Sequence, residues 1–99
     1  MKRINVIFLS LVTLLFSSGV FADECASVQL AFEEERYSSA LRYLEPLLKN
    51  GEICAYYYKG MMLSKGYGIK LDQKAGIPMI ELAAKKGYEP AKEFLQSYY

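Results

Sequence analysis

The side chains in this sequence able to do chemistry are two cysteines, a few clustered carboxylates and nine tyrosines, and histidine is absent. Lack of histidine removes the commonest general base and the commonest metal ligand. The carboxylates crowd together in Glu33-Glu34-Glu35 and in Glu89 with Glu93. Such spacing marks solvated helix faces, with no second group to perturb either acid. No Ser-x-x-Lys occurs after residue 22. Gly66-Tyr67-Gly68 has a trace of a phosphate loop but lacks the further glycines and the Lys-Ser/Thr, and it follows a helical pattern instead of a strand. The adjacent Met61 and Met62 suit core filling better than ligation. These residues predict a chain with no catalytic group, no cofactor and no metal site.

The cysteines point to a compartment. Met1-Lys2-Arg3 is a positive start, residues 4–16 are apolar apart from Asn5, Ser10 and Thr13, and Val20-Phe21-Ala22 has the small-x-small form of a cleavage site. Residues 1–22 therefore read as a signal peptide cut after Ala22, leaving residues 23–99 as one domain that is periplasmic or secreted. An uncleaved anchor is the competing interpretation, but the apolar run is short of the ~20 residues a spanning helix needs. Cys25 follows Ala-Asp-Glu, which lacks the small apolar residues expected before a lipid-attachment cysteine. In an oxidising compartment, Cys25–Cys54 is the default disulfide, against two free thiols or an intermolecular bridge. Closing that loop would add about 3–4 kcal/mol to a domain small enough to need it.

Without Lys2 and Arg3, ten basic and eleven acidic residues remain, too balanced for a nucleic-acid binder. The charge is unevenly placed: residues 23–52 hold seven acids and three bases, residues 53–99 four acids and seven bases. Solvated helix faces explain this most simply, and head-to-tail self-association or an electrostatically matched partner is the sharper alternative.

Five helices would position these groups. Asp23 is the expected cap of a first helix reaching about Glu35, with Cys25, Val28, Ala31 and Phe32 inward and fraying where the acidic run opposes the helix dipole. A second helix is capped by Ser38 or Ser39, faces inward with Ala40, Leu41, Tyr43, Leu44, Leu47 and Leu48, and ends at Asn50-Gly51. Pro46 within it removes one hydrogen bond and predicts a bend. The third runs over residues 53–65. Its Tyr56, Tyr57 and Tyr58 lie about 100° apart and cannot all face one core. Gly60 costs about 1 kcal/mol there, which implies a close helix crossing. After Asp72, a fourth helix over residues 73–86 should bury Gly76, Met79, Ile80, Ala83 and Ala84, with Pro78 as a second interior proline. Pro90 opens a fifth, through Ala91, Phe94 and Leu95.

Small residues recur at a separation of 36: Ala40 with Gly76, Gly51 with Gly87, Ala55 with Ala91. A fixed period of that length predicts a short helical solenoid. Residues 55–91 contain, without a gap, Ala55, Gly60, Met62-Leu63, Gly66, Gly68-Ile69, Asp72, Gly76, Met79-Ile80, Ala83-Ala84, Gly87 and Ala91. This order resembles the Sel1-like repeat, a relative of the tetratricopeptide repeat, over about half of the mature chain. Lys59, Gly76 and Pro78 depart from the family pattern. The resemblance implies an all-α, short α-solenoid of about five antiparallel helices: one tetratricopeptide-like unit, one Sel1-like repeat and one capping helix. It further implies a non-enzymatic scaffold that binds another protein through an inner groove lined by the first helix of each repeat. Gln29 and Glu33, Tyr56, Tyr57 and Lys59, and Gln96 and Tyr99 are the candidates for that groove, although most tyrosines are expected to wedge between helices. An immunity protein against a periplasm-acting toxin is an alternative in the same class. A β-lactam-binding or hydrolysing enzyme is the weaker one, since the cysteine-rich relatives it would follow carry a cysteine pair in every repeat.

Overall fold

The computed structural model describes residues 24–99, so the expected signal peptide and the expected Asp23 cap lie outside the described residues. Among those residues are five α-helices and no strand: α1 Ala26–Glu33, α2 Tyr37–Lys49, α3 Ile53–Lys65, α4 Gln73–Lys85 and α5 Glu89–Tyr98. Each helix packs chiefly on its neighbours in sequence, with α3 against α4 the most extensive interface. This is the solenoid-like all-α architecture expected from the period.

The repeat is visible in the geometry as well as in the letters. Ala55 and Ala91 are fully buried, Ala40 and Gly76 are buried, and Leu44 and Ile80, also one period apart, are the most deeply buried large side chains of α2 and α4. Gly51 and Gly87 carry φ values of 74° and 94° and close the two helices in the same way. Gly51 N–H donates to the Leu48 carbonyl and Glu52 N–H to that of Leu47; Gly87 N–H donates to Ala84 and Tyr88 N–H to Ala83. These are Schellman turns, in which the residue after the cap must take the left-handed conformation.

α1 ends by the same device but without glycine. Glu35 N–H donates to Phe32 and Arg36 N–H to Ala31, and Glu35 sits at φ 59°. The fraying expected of the acidic run is thus replaced by an ordered turn, because two backbone hydrogen bonds satisfy carbonyls that would otherwise be orphaned. Nor does α2 use a serine cap: Arg36 precedes its first residue, Ser38 lies in its first turn and Ser39 is buried. Asp72, by contrast, caps α4 as expected, accepting from Ala75 N–H at 3.2 Å.

The core has two parts joined by α3. Cys25, Val28, Ala31, Ala40, Leu44, Ala55, Tyr58 and Met62 form the first; Ile77, Ile80, Ala83 and Ala91 form the second, with Ile53 and Met61 packed on it. Because 55, 58 and 62 face one cluster and 53, 57 and 61 the other, α3 is covered on most of its circumference. Two expected inward residues lie elsewhere: Tyr43 is exposed, and Met79 is only half-buried because Ile77 takes the inward place one residue before Pro78. The helices run through both prolines. Pro46 and Pro78 are exposed, as are Arg42 and Lys74, whose carbonyls lose their usual donors, so both prolines lie on outward-facing sides of their helices.

The Gly66-Tyr67-Gly68 turn has a packing role. Tyr67 stacks on Tyr37 at 5.0 Å between ring centroids, and Phe32 meets Tyr37, Tyr58 and Tyr67 edge-on at 5.5, 5.4 and 5.7 Å. Edge-on and offset aromatic pairs of this kind favour fixed ring positions beyond simple burial. The turn seats an aromatic side chain over α1 and α2.

Candidate binding cleft

The disulfide borders a surface depression. Cys25, immediately before α1, is bonded to Cys54 in the first turn of α3, with 6.3 Å between the Cα atoms. The bond holds two helix beginnings side by side, and a cleft of about 370 Å³ opens there, lined by Glu24, Gln29, Glu52, Ile53, Tyr58 and Tyr88 together with the disulfide.

Its chemistry follows from what flanks the cysteines. Glu24 precedes Cys25 and Glu52 lies two residues before Cys54, so the bridge brings two carboxyl groups together. Hydrogen bonding to Glu24, with smaller effects of burial and repulsion, raises the Glu52 carboxyl above the ordinary carboxylate range. A second carboxyl group this close disfavours the charged form of Glu52. Across the cleft lie the phenols of Tyr58 and Tyr88, and burial, followed by the nearby phenols, pushes Tyr58 ionisation far up. Tyr88 reaches this position from the α4–α5 turn, with its ring 5.3 Å from that of Tyr57. The result is a recess with an acidic rim and a phenolic wall. Among the described residues, no three His, Cys, Asp or Glu side chains are grouped to hold a metal ion.

The candidates named from sequence are distributed unevenly around this cleft. Gln29 lines it, and its side-chain amide donates to Glu33 one turn further on, at 3.1 Å. Tyr57 is half-buried and packs against both core clusters, so it is first a wedge. Tyr56 and Lys59 are half-buried on α3, and Gln96 is exposed on α5. Tyr99 is distant from the cleft in role: its hydroxyl donates to Glu81 at 2.7 Å, beside α4. The structure therefore brings Gln29 and Glu33 together and leaves Gln96 and Tyr99 apart. Glu24, Glu52, Tyr58 and Tyr88 were not among the expected site residues. The signal for the two acids was available, since any bond between the cysteines must also gather their acidic neighbours.

The repeat-defining residues have structural uses. Ala55, Ala83 and Ala91 are fully buried and Ala84 half-buried; Gly60 and Gly76 meet across the α3–α4 interface; Gly66, Gly68 and Gly87 hold positive φ; Asp72 is a cap. Among the described residues no helix is long and apolar enough to cross a membrane. No family model, curated protein or solved structure matches the chain.

Proposed function

We propose that this protein is a non-enzymatic interaction scaffold of the Sel1-like repeat kind, working in an oxidising compartment such as the periplasm, and that the cleft beside the disulfide receives a segment of a partner protein. The carrying observation is the convergence of Gln29, Glu24, Glu52, Tyr58 and Tyr88 on one recess held open by Cys25–Cys54. Carboxylate and phenol oxygens there accept hydrogen bonds, and ring faces supply contact area at little rotamer cost, which suits a peptide segment bearing a basic side chain. The disulfide supports the oxidising setting, and the shared Schellman turns and buried small residues at the 36-residue period support the repeat.

The test is site-specific photocrosslinking in cells. Probes at Gln29 and Glu52, which both line the cleft, are expected to trap the same partner, whereas one at the exposed Leu71, in the turn past the other end of α3, traps none. Identical adducts at all three sites, or no protein adduct at Gln29, would reject the cleft as the binding surface.

A further inference from the structure

We propose that a proton on Glu52 controls the disulfide-side cleft. Protonated, Glu52 hydrogen-bonds Glu24 across the mouth between the starts of α1 and α3. Ionised, it turns to the first amides of its own helix and leaves the mouth open and charged for a basic side chain. Acid therefore releases the partner. The proposal rests on reading this cleft as the binding surface and adds how that surface is regulated.

The position of Glu52 gives its side chain two seats. Glu52 is the residue just before α3, in extended backbone, where a side chain can accept from the amides of the helix start. It makes no such bond, and its carboxyl group lines the cleft beside Glu24 instead. Ala55 N–H is taken by the Glu52 carbonyl at 3.1 Å, so Cys54 N–H is the amide that a returning Glu52 side chain would cap. The helix dipole at this end favours a negative charge. An ionised Glu52 is thus stabilised by turning to α3 and a protonated one by donating to Glu24, and one side chain cannot do both.

The disulfide forces the choice. Cys25 and Cys54 hold the backbones beside the two acids, at 6.3 Å between Cα atoms, so the carboxyl groups cannot separate by parting α1 from α3. No lysine or arginine lines the cleft to neutralise them. Around Glu52 stand Glu24 before α1, the neutral Gln29 on α1, Tyr58 on α3 and Tyr88 from the α4–α5 turn. Glu33 on α1 adds negative charge close enough to act on Tyr58. Lys49 at the end of α2, Lys85 at the end of α4 and Lys86 after it are outside the lining. Phenols keep their protons throughout the acidic range, so only carboxyl groups change the charge of this cleft there. The hydrogen bond with Glu24 raises the Glu52 carboxyl above its ordinary 4.5, which puts the change in mild acid. The native state then binds more protons than the unfolded chain, and the stabilisation is fully present below 4.5 and lost as pH rises through the folded value.

Carboxyl-carbon magnetic resonance of the oxidised chain, read together with amide shifts, tests the switch. Glu52 is expected to titrate above 4.5, and the Cys54 amide to shift at the same midpoint as it gains its acceptor. Glu24→Gln, which removes the facing charge, and Cys25→Ser/Cys54→Ser, which lets the acids part, are each expected to lower the midpoint. Photocrosslinking from Gln29 in cell extract at about pH 7.5 and about pH 4.5 reads the consequence. At least half of a group titrating above 4.5 holds its proton at that pH, so the wild-type adduct should fall about twofold or more in acid. Glu52→Gln, neutral and able to donate to Glu24 at any pH, should give the low yield at both. A Glu52 midpoint at or below 4.5, or a Cys54 amide indifferent to it, overturns the inference and leaves the binding surface standing. So does a Glu52→Gln chain that crosslinks at neutral pH as well as the wild type. Absence of a Gln29 adduct at either pH rejects the binding surface itself, and the inference with it.

Discussion

Gly60 on α3 and Gly76 on α4 exclude side chains from one another's positions: a Cβ added at Gly60 would lie 2.8 Å from the Gly76 carbonyl oxygen, and one added at Gly76 would lie 2.7 Å from the Gly60 carbonyl oxygen. The obstacles are backbone atoms, which cannot swing aside as a side-chain end can. This reciprocal contact makes the largest helix interface of the molecule a close one.

Alanine normally improves a helix interior over glycine by about 1 kcal/mol. Gly76→Ala is nevertheless expected to destabilise by about 1–3 kcal/mol, because α3 and α4 must separate to admit the methyl group. A Ser64→Ala background should soften this loss, since the Ser64 hydroxyl oxygen lies 2.5 Å from the added Cβ. It should not abolish it, as the Gly60 carbonyl and Ser64 N–H remain. Denaturant unfolding of the single and double variants measures the coupling.

Glu35→Gly is expected to stabilise the protein by about 0.5–1 kcal/mol. Glu35 occupies, at φ 59°, the turn position that Gly51 and Gly87 occupy elsewhere, and a left-handed conformation strains a residue with a Cβ. Glu35→Gln separates geometry from charge. If it stabilises as much as glycine, relief of repulsion in the acidic run is the cause and backbone strain is not.

Reduction of Cys25–Cys54 should cost about 3–4 kcal/mol, the chain-entropy value for a loop whose ends are 29 residues apart. The effect is expected to be uneven. α1 is the shortest helix, so its amide protons should exchange far faster in Cys25→Ser/Cys54→Ser, while those of α4 change mainly with global stability. Hydrogen exchange followed by fragment mass analysis reads this directly.

Stability should decline in alkali. Burial raises the phenols of Tyr57, Tyr58 and Tyr88 above the ordinary value of 10.0. Above about pH 10 the unfolded chain releases these protons while the folded chain retains them, so the native state binds more protons and loses stability as pH rises. The contribution is fully present below that pH. Melting temperature measured from pH 8 to 11 is expected to fall beyond 10, and Tyr58→Phe, which has no proton to release, should flatten the decline.

Helix order, both glycine turns, the Asp72 cap and the close crossing at Gly60 were legible in the sequence because each is a local or strictly periodic signal. The disulfide was legible too, since two cysteines leave one intramolecular pairing. Other features depend on what lies opposite. Ser39 has the chemistry of a cap but is buried, because the chain enters α2 three residues earlier from the Glu35 turn. Ile77 displaces Met79 from the core because α4 faces both α3 and α5, and a single inward stripe cannot describe it. The cleft was missed for a related reason: Tyr88 comes from the turn before α5, and no spacing rule links it to Tyr58.

The Cys25–Cys54 bond encloses the whole of α2 within a covalent ring. Tension applied between the chain ends passes through the sulfur bridge and bypasses α2 altogether. Some 29 residues, about 100 Å of extended chain, are thereby withheld from any pull. A protease cutting at the Glu35 turn would likewise release nothing, for both pieces stay tied. Mechanical and proteolytic resistance thus belong to the half of the molecule that carries the acidic cleft, while the α4–α5 half relies on close packing alone.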